Sequence, residues 1–173
     1  MLYKFTKSGE KVINIANELA EDFGHNYIGT EHILYGLAFE ENGVARKILE
    51  NQNITSDDIL EKIQEIVGTN SKANISVLGF TPRTKKILEK AYYEAKKLGS
   101  NYVGTEHILV GILKERDCIA IRILLELDIN IDNMYIDIAK TLNEFEKNMQ
   151  NDNKEIDDTR KFQFYSNFKS IWN

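Results

Sequence analysis

Two triplets carry most of the chemistry that this chain can offer, Thr30-Glu31-His32 and Thr105-Glu106-His107. They lie inside the nonapeptides NYIGTEHIL (26–34) and NYVGTEHIL (101–109), which differ only at Ile28 and Val103. Each triplet places a hydroxyl, a carboxylate and an imidazole side by side, the ingredients of metal ligation, nucleophile activation or charge recognition. Metal ligation fits poorly, because adjacent positions on a helix do not face each other. No second nitrogen or sulfur ligand stands at helical spacing. His25 has no counterpart in the second copy, where Ser100 stands. His32 and His107 are therefore expected to be buried or capping histidines, and no metal or cofactor is expected. Nucleophilic catalysis is no better served. There is no G-x-S-x-G, and Cys118 has no evident histidine partner and reads as a small buried apolar residue. No G-x-x-x-x-G-K-[ST] loop is present, so the chain should not itself bind and hydrolyse ATP. The reading is a binding module, not an enzyme.

The glutamates remain. Glu31 and Glu106 are expected at the first helical position, pointing away from the apolar face. A carboxylate there interacts favourably with the helix dipole, worth about 0.3–1 kcal/mol. That accounts for a polar residue but not for the repeated choice of glutamate. Other solvent-side positions diverged between the copies: Asn14 against Glu89, Asn17 against Tyr92, Glu21 against Lys96. A binding role and a helix-start role both stay open on the residues alone.

The elements that position these triplets repeat as well. Phe5 aligns with Phe80, and each residue of the first copy maps 75 positions onward. Such self-similarity marks the duplication of one structural unit. Val12, Ile15, Ala16, Leu19 and Phe23 recur at helical steps, as do Ile87, Ala91, Ala95 and Leu98. Thr6 and Thr81 stand where N-caps belong, with Pro82 at a first helical position. Gly24 and Gly99 stand where these helices should stop. A shorter helix is predicted from each TEHIL, capped by Thr30 or Thr105. Its apolar face is Ile33, Leu34 and Leu37, or Ile108, Leu109 and Ile112. A third helix follows at Val44–Leu49 and Ile119–Leu124. A fourth carries Ile59, Ile63 and Ile66, or Met134, Ile138, Leu142 and Phe145. Tyr27 and Tyr102 are expected to pack beneath the turn into TEHIL. The fold class is all-α, two tandem four-helix repeats packed about a pseudo-twofold axis. Residues 68–79 read as the connector. The domain is placed at 1–147, with repeat one at about 3–68 and repeat two at about 80–147. Residues 148–173 read as a polar, aromatic-ended tail, unstructured or weakly docked.

Composition narrows the partners. The 173 residues are 42% hydrophobic and 28% charged, ordinary for a globular chain. A net charge of −5 argues against nucleic acid as the main partner. The single cysteine suits a reducing compartment, and no uninterrupted apolar run is long enough to span a bilayer. With no signal peptide visible, a cytoplasmic location without membrane contact is expected.

The doubled GTEHIL with its following glycine, FTPRTKKILEKA before the second copy and ENGVARKIL after the first resemble the N-terminal Clp repeat domain. The form is most similar to that of the ClpC unfoldases of Gram-positive bacteria, over about residues 3–145. The resemblance implies a domain seated on a hexameric ATP-driven unfoldase that feeds the ClpP protease. It implies substrates and MecA-like adaptors as partners, ClpP being reached only through a motor that this chain does not contain. It also implies recognition of arginine-phosphorylated proteins, with Glu31 and Glu106 as the phosphoarginine-contacting glutamates. The chemistry is sound: a carboxylate suits the guanidinium, and amides at a helix start suit the phosphoryl oxygens. Thr6 and Thr81, at the starts of the long helices, are expected to complete two equivalent pockets. The second repeat departs from the family with RDCIA where the first has ENGVA, which puts an adaptor surface in doubt but is expected to leave the glutamate sites untouched. A stand-alone Clp-repeat adaptor or decoy, or a purely structural spacer, are the other readings.

Overall fold

A computed structural model describes residues 3–71 and 76–151. The three- and four-residue spacing of apolar side chains becomes helix wherever it occurs. Among the described residues there are eight helices and no strand beyond isolated bridges. They are α1 (Lys7–Asp22), α2 (Thr30–Phe39), α3 (Val44–Asn51), α4 (Ser56–Ile66), α5 (Pro82–Lys97), α6 (Thr105–Lys114), α7 (Ile119–Glu126) and α8 (Ile131–Asn151). The fold is two four-helix repeats, as the duplication predicts. Thr6 and Thr81 cap the long helices, their hydroxyls accepting from the amides of Gly9 and Thr84. Gly24 and Gly99 take the left-handed conformation just past the ends, with φ of 69° and 74°. The fourth helix of the second repeat runs on to Asn151, and the rest of the expected tail lies outside the described residues.

The repeats exchange their lead-in segments. Phe5 bridges Val103, and its equivalent Phe80 bridges Ile28, so each helix pair is pinned by backbone from the other half. The bonds are Val103 N–H to Lys4 C=O (2.7 Å) and Thr6 N–H to Val103 C=O (2.9 Å), mirrored by Ile28 N–H to Gly79 C=O (2.8 Å) and Thr81 N–H to Ile28 C=O (3.1 Å). One continuous core results, in which residues from both halves join. At its centre lie α2 and α6, apolar on nearly every side and buried accordingly. Gly36 and Gly111 allow this. A Cβ at either would come within 2.7 Å of the Val12 carbonyl or 2.6 Å of the Ile87 carbonyl, so glycine lets α2 lie against α1 and α6 against α5.

Two expectations are corrected here. Tyr27 and Tyr102 are not core residues: they stand 46% and 51% exposed. The chain is extended where it enters the bridge, successive side chains point to opposite faces, and Ile28 and Val103 take the inner one. Thr30 and Thr105 are not the N-caps of the TEHIL helices either. Those caps are Gly29 and Gly104, and each threonine is the first residue of its helix. The two hydroxyls instead cross between repeats. Thr30 Oγ1 accepts from Ala120 N–H at the start of α7 (3.1 Å), and Thr105 Oγ1 accepts from Ala45 N–H at the start of α3 (3.1 Å). Each repeat thus caps a helix of the other with a buried bond. Thr30→Val and Thr105→Val are each expected to cost about 1 kcal/mol, read as a lower urea midpoint with an unchanged m-value. No described helix is long and apolar enough to cross a membrane.

Candidate functional site

The first turn of α2 is polar yet buried, which apolar periodicity does not anticipate. Glu31 is 5% exposed and His32 1% exposed. The Glu31 carboxylate therefore does not point into solvent as expected. It folds back over Gly29, where a Cβ would lie only 2.4 Å from its oxygens, so the glycine makes the niche that the carboxylate fills. Burial pushes the Glu31 carboxyl above its usual range, while a hydrogen bond to its own backbone and the nearby His25 pull the other way. Among the described residues no lysine or arginine forms an ion pair with it. His32 Nδ1, 3.7 Å from the Glu31 carboxylate, accepts the Gly29 N–H (2.8 Å), so it carries a lone pair and not a proton.

The histidines act as caps. His32 Nε2 lies 2.7 Å from His25 Nδ1, and His25 Nε2 lies 2.8 Å from the Gly68 carbonyl. The Gly68 carbonyl can only accept, so His25 donates from Nε2 and accepts at Nδ1 from His32 Nε2–H. With its Nδ1 accepting, the His32 ring is neutral, and every ring nitrogen of the pair has a partner. Burial and the neighbouring His25 lower the His32 pKa to about 3. In the second repeat His107 Nδ1 likewise accepts from Gly104 N–H (2.9 Å), and burial lowers its pKa. Ser100 replaces His25 and bonds the Tyr102 carbonyl instead (2.7 Å). Sequence reasoning sets His25 aside because it is not repeated; its spacing of seven from His32 is the signal that could have found it.

Glu31 faces a cavity of about 460 Å³ between the repeats. Thr81 and Arg83 from the start of α5, and Asp117, Cys118 and Arg122 from the start of α7, line it with Glu31. The structure therefore brings Glu31 and Thr81 together. Thr6 holds the matching place at the other end, bonded to Val103 three residues before Glu106, as Thr81 is bonded to Ile28 three residues before Glu31. The RDCIA departure does not leave the glutamate sites untouched: Asp117 and Cys118 form part of the Glu31 wall. Sequence reasoning also misses Arg83. Its Nη1 donates to Glu115 (2.7 Å) and its Nη2 to Asp117 (3.2 Å). Glu115 is buried, and Lys90 and Arg83 hold its carboxyl below the usual range against the pull of burial. A carboxylate, a fixed guanidinium and a helix start in one cavity suit a ligand that carries both charges.

Comparison with known proteins agrees with the all-α, two-repeat fold. The model of the Clp repeat (R) N-terminal domain matches residues 4–127 and 80–165. The ATP-dependent Clp protease ATP-binding subunit ClpC of Staphylococcus aureus (strain USA300) is 38% identical over 148 residues. That alignment takes in 86% of this chain but 18% of the relative's length. The N-terminal domain of the chaperone ClpD from Arabidopsis thaliana superposes with a TM-score of 0.67 at 24% identity, over 83% of this chain and 97% of that one. A ClpV N-domain solved in complex with a VipB peptide has a TM-score of 0.58 at 18% identity, over 79% of this chain and 87% of that one. These likenesses in structure concern the fold; the family rests on the sequence matches. The chain belongs to the Clp repeat N-terminal domain family.

Proposed function

We propose that this domain receives substrates and MecA-like adaptors for a cytoplasmic ClpC-type unfoldase, and that it recognises arginine-phosphorylated proteins destined for ClpP. The carrying observation is the buried Glu31 carboxylate, set in a cavity without a lysine or arginine partner among the described residues. A buried ionisable group without a countercharge is costly, and such groups gather at functional sites. The incoming guanidinium supplies the missing cation through paired charge-assisted hydrogen bonds, and the phosphoryl oxygens meet the start of α5. The hydroxyls of Thr81 and Thr6 accept from amides of their own helices, which leaves each O–H hydrogen as a donor for a phosphoryl oxygen beside the amide-rich start. That a distant member of the fold was captured with a peptide on its N-domain supports reception as the task. The chain has no ATP-binding loop, so force and proteolysis belong to other parts of such a machine.

The test is calorimetric titration of the purified chain with free phosphoarginine, with arginine and phosphoserine as controls. Selective binding is expected, and the Glu31→Ala, Glu106→Ala double variant is expected to lose it. Equal heats in the variant and the parent would leave a structural spacer as the better reading.

A further inference from the structure

The duplication invites the view that the two glutamate sites are equivalent, but the residues that line the Glu31 cavity are not repeated at the corresponding positions of the other half. Carrying the Glu31 pocket across by 75 residues replaces Arg83 with Ser8, Asp117 with Asn42, Cys118 with Gly43 and Arg122 with Lys47. The difference at Arg83 matters most. Its guanidinium is anchored from behind by Glu115, which is 6% exposed and also bound by Lys90 (2.7 Å), so the head group is held at the cavity and not free to wander. A pre-positioned guanidinium loses less freedom on binding a phosphoryl group than a mobile one. Its other contact is Asp117, whose side chain is 96% exposed. That carboxylate is a replaceable partner that an incoming phosphoryl dianion can displace, while Glu115 keeps its own bond. The equivalent Glu40 binds the Asn42 amide (2.9 Å) and lies 3.9 Å from Lys11, so it presents no guanidinium to the second pocket.

On the reading that these pockets take phosphoarginine, we infer that they are functionally unequal. The Glu31 pocket is the phosphate-discriminating site, with Arg83 as its phosphoryl-binding residue. The Glu106 pocket, with Ser8 in that place, reads mainly the guanidinium. A charge-assisted hydrogen bond in a partly enclosed site corresponds to about tenfold or more in affinity. The preference for phosphoarginine over arginine should differ between the pockets by about that factor.

Each pocket is isolated by silencing the other: Glu106→Ala leaves the first and Glu31→Ala the second. Both variants are titrated with phosphoarginine and with arginine. The first pocket is expected to prefer phosphoarginine about tenfold more strongly than the second. Adding Arg83→Ser should erase that excess, and adding Ser8→Arg to the second should raise its preference. Asp117→Asn should tighten phosphoarginine at the first pocket. Equal preference in the two single-pocket variants, untouched by Arg83→Ser, overturns the inequality while leaving phosphoarginine recognition standing. Failure of the parent chain to bind phosphoarginine overturns both.

Discussion

Urea unfolding repeated at about pH 7.5 and about pH 5 is expected to show a loss of about 2 kcal/mol at the lower pH from His32 alone. The sign comes from the direction of the shift. The His32 pKa is depressed in the fold to about 3, from an ordinary 6.5, so the folded protein holds the ring neutral while the unfolded chain protonates it. Its contribution is therefore complete above about pH 6.5 and is lost as the pH falls toward about 3. The structural reason is the bond chain from Gly29 through His32 and His25 to Gly68. A proton added to His32 at Nδ1 sets it against the Gly29 N–H and breaks that link. His107, also depressed by burial, adds a loss of the same sign. Glu31, whose carboxyl is raised, gives a smaller opposing trend as it protonates. His32→Gln separates these contributions. Glutamine can accept from the Gly29 amide and donate onward without titrating, in the manner of a capping box. The variant is expected to fold with a much flatter pH dependence. The same slope in the variant would place the acid sensitivity elsewhere.

Helix number, order and the inward faces are legible in the sequence because apolar periodicity and caps are local signals, and the duplication states each of them twice. Ile33, Leu34 and Leu37 with their equivalents are recognisable as core, and they are fully buried. The features that escape such a reading are tertiary. Thr30 looks like a cap for the helix it begins, but its partner, Ala120, lies 90 residues away. Glu31 follows a helix start that is ordinarily solvent-exposed, and only the arrival of α5 and α7 from the other repeat encloses it. Tyr27 misleads because an aromatic residue beside a glycine turn reads as packing, whereas the bridge at Ile28 turns it outward. Arg83 escapes notice when repetition is the guide, because Ser8 stands in its place in the first copy. Asymmetry between the copies holds information that a search for identity discards.

Glu31→Gln is expected to separate binding from stability. The folded-state pKa of Glu31 is raised by burial, so its favourable contribution belongs to the protonated form and is lost as the pH rises through that folded value. At neutral pH the ionised carboxylate is therefore a burden on the fold. Glutamine has nearly the same shape and carries no charge, so it fills the niche over Gly29 without that cost. The thermal midpoint should rise at neutral pH, for a stability gain on the order of 1 kcal/mol, as for other single stabilising substitutions. The gain should shrink as the pH falls and the parent glutamate protonates. Phosphoarginine binding at this pocket should weaken by about tenfold or more, because the guanidinium loses its ionic partner. Glu106→Gln should change stability less, since the Glu106 side chain is 21% exposed against 7% for Glu31. A Glu31→Gln chain that is less stable and binds phosphoarginine undiminished would mark the carboxylate as a structural element of the α2 start. A firmer fold with a weaker pocket is the expected pair, because a buried charge kept for its ligand is a cost to the fold until that ligand arrives.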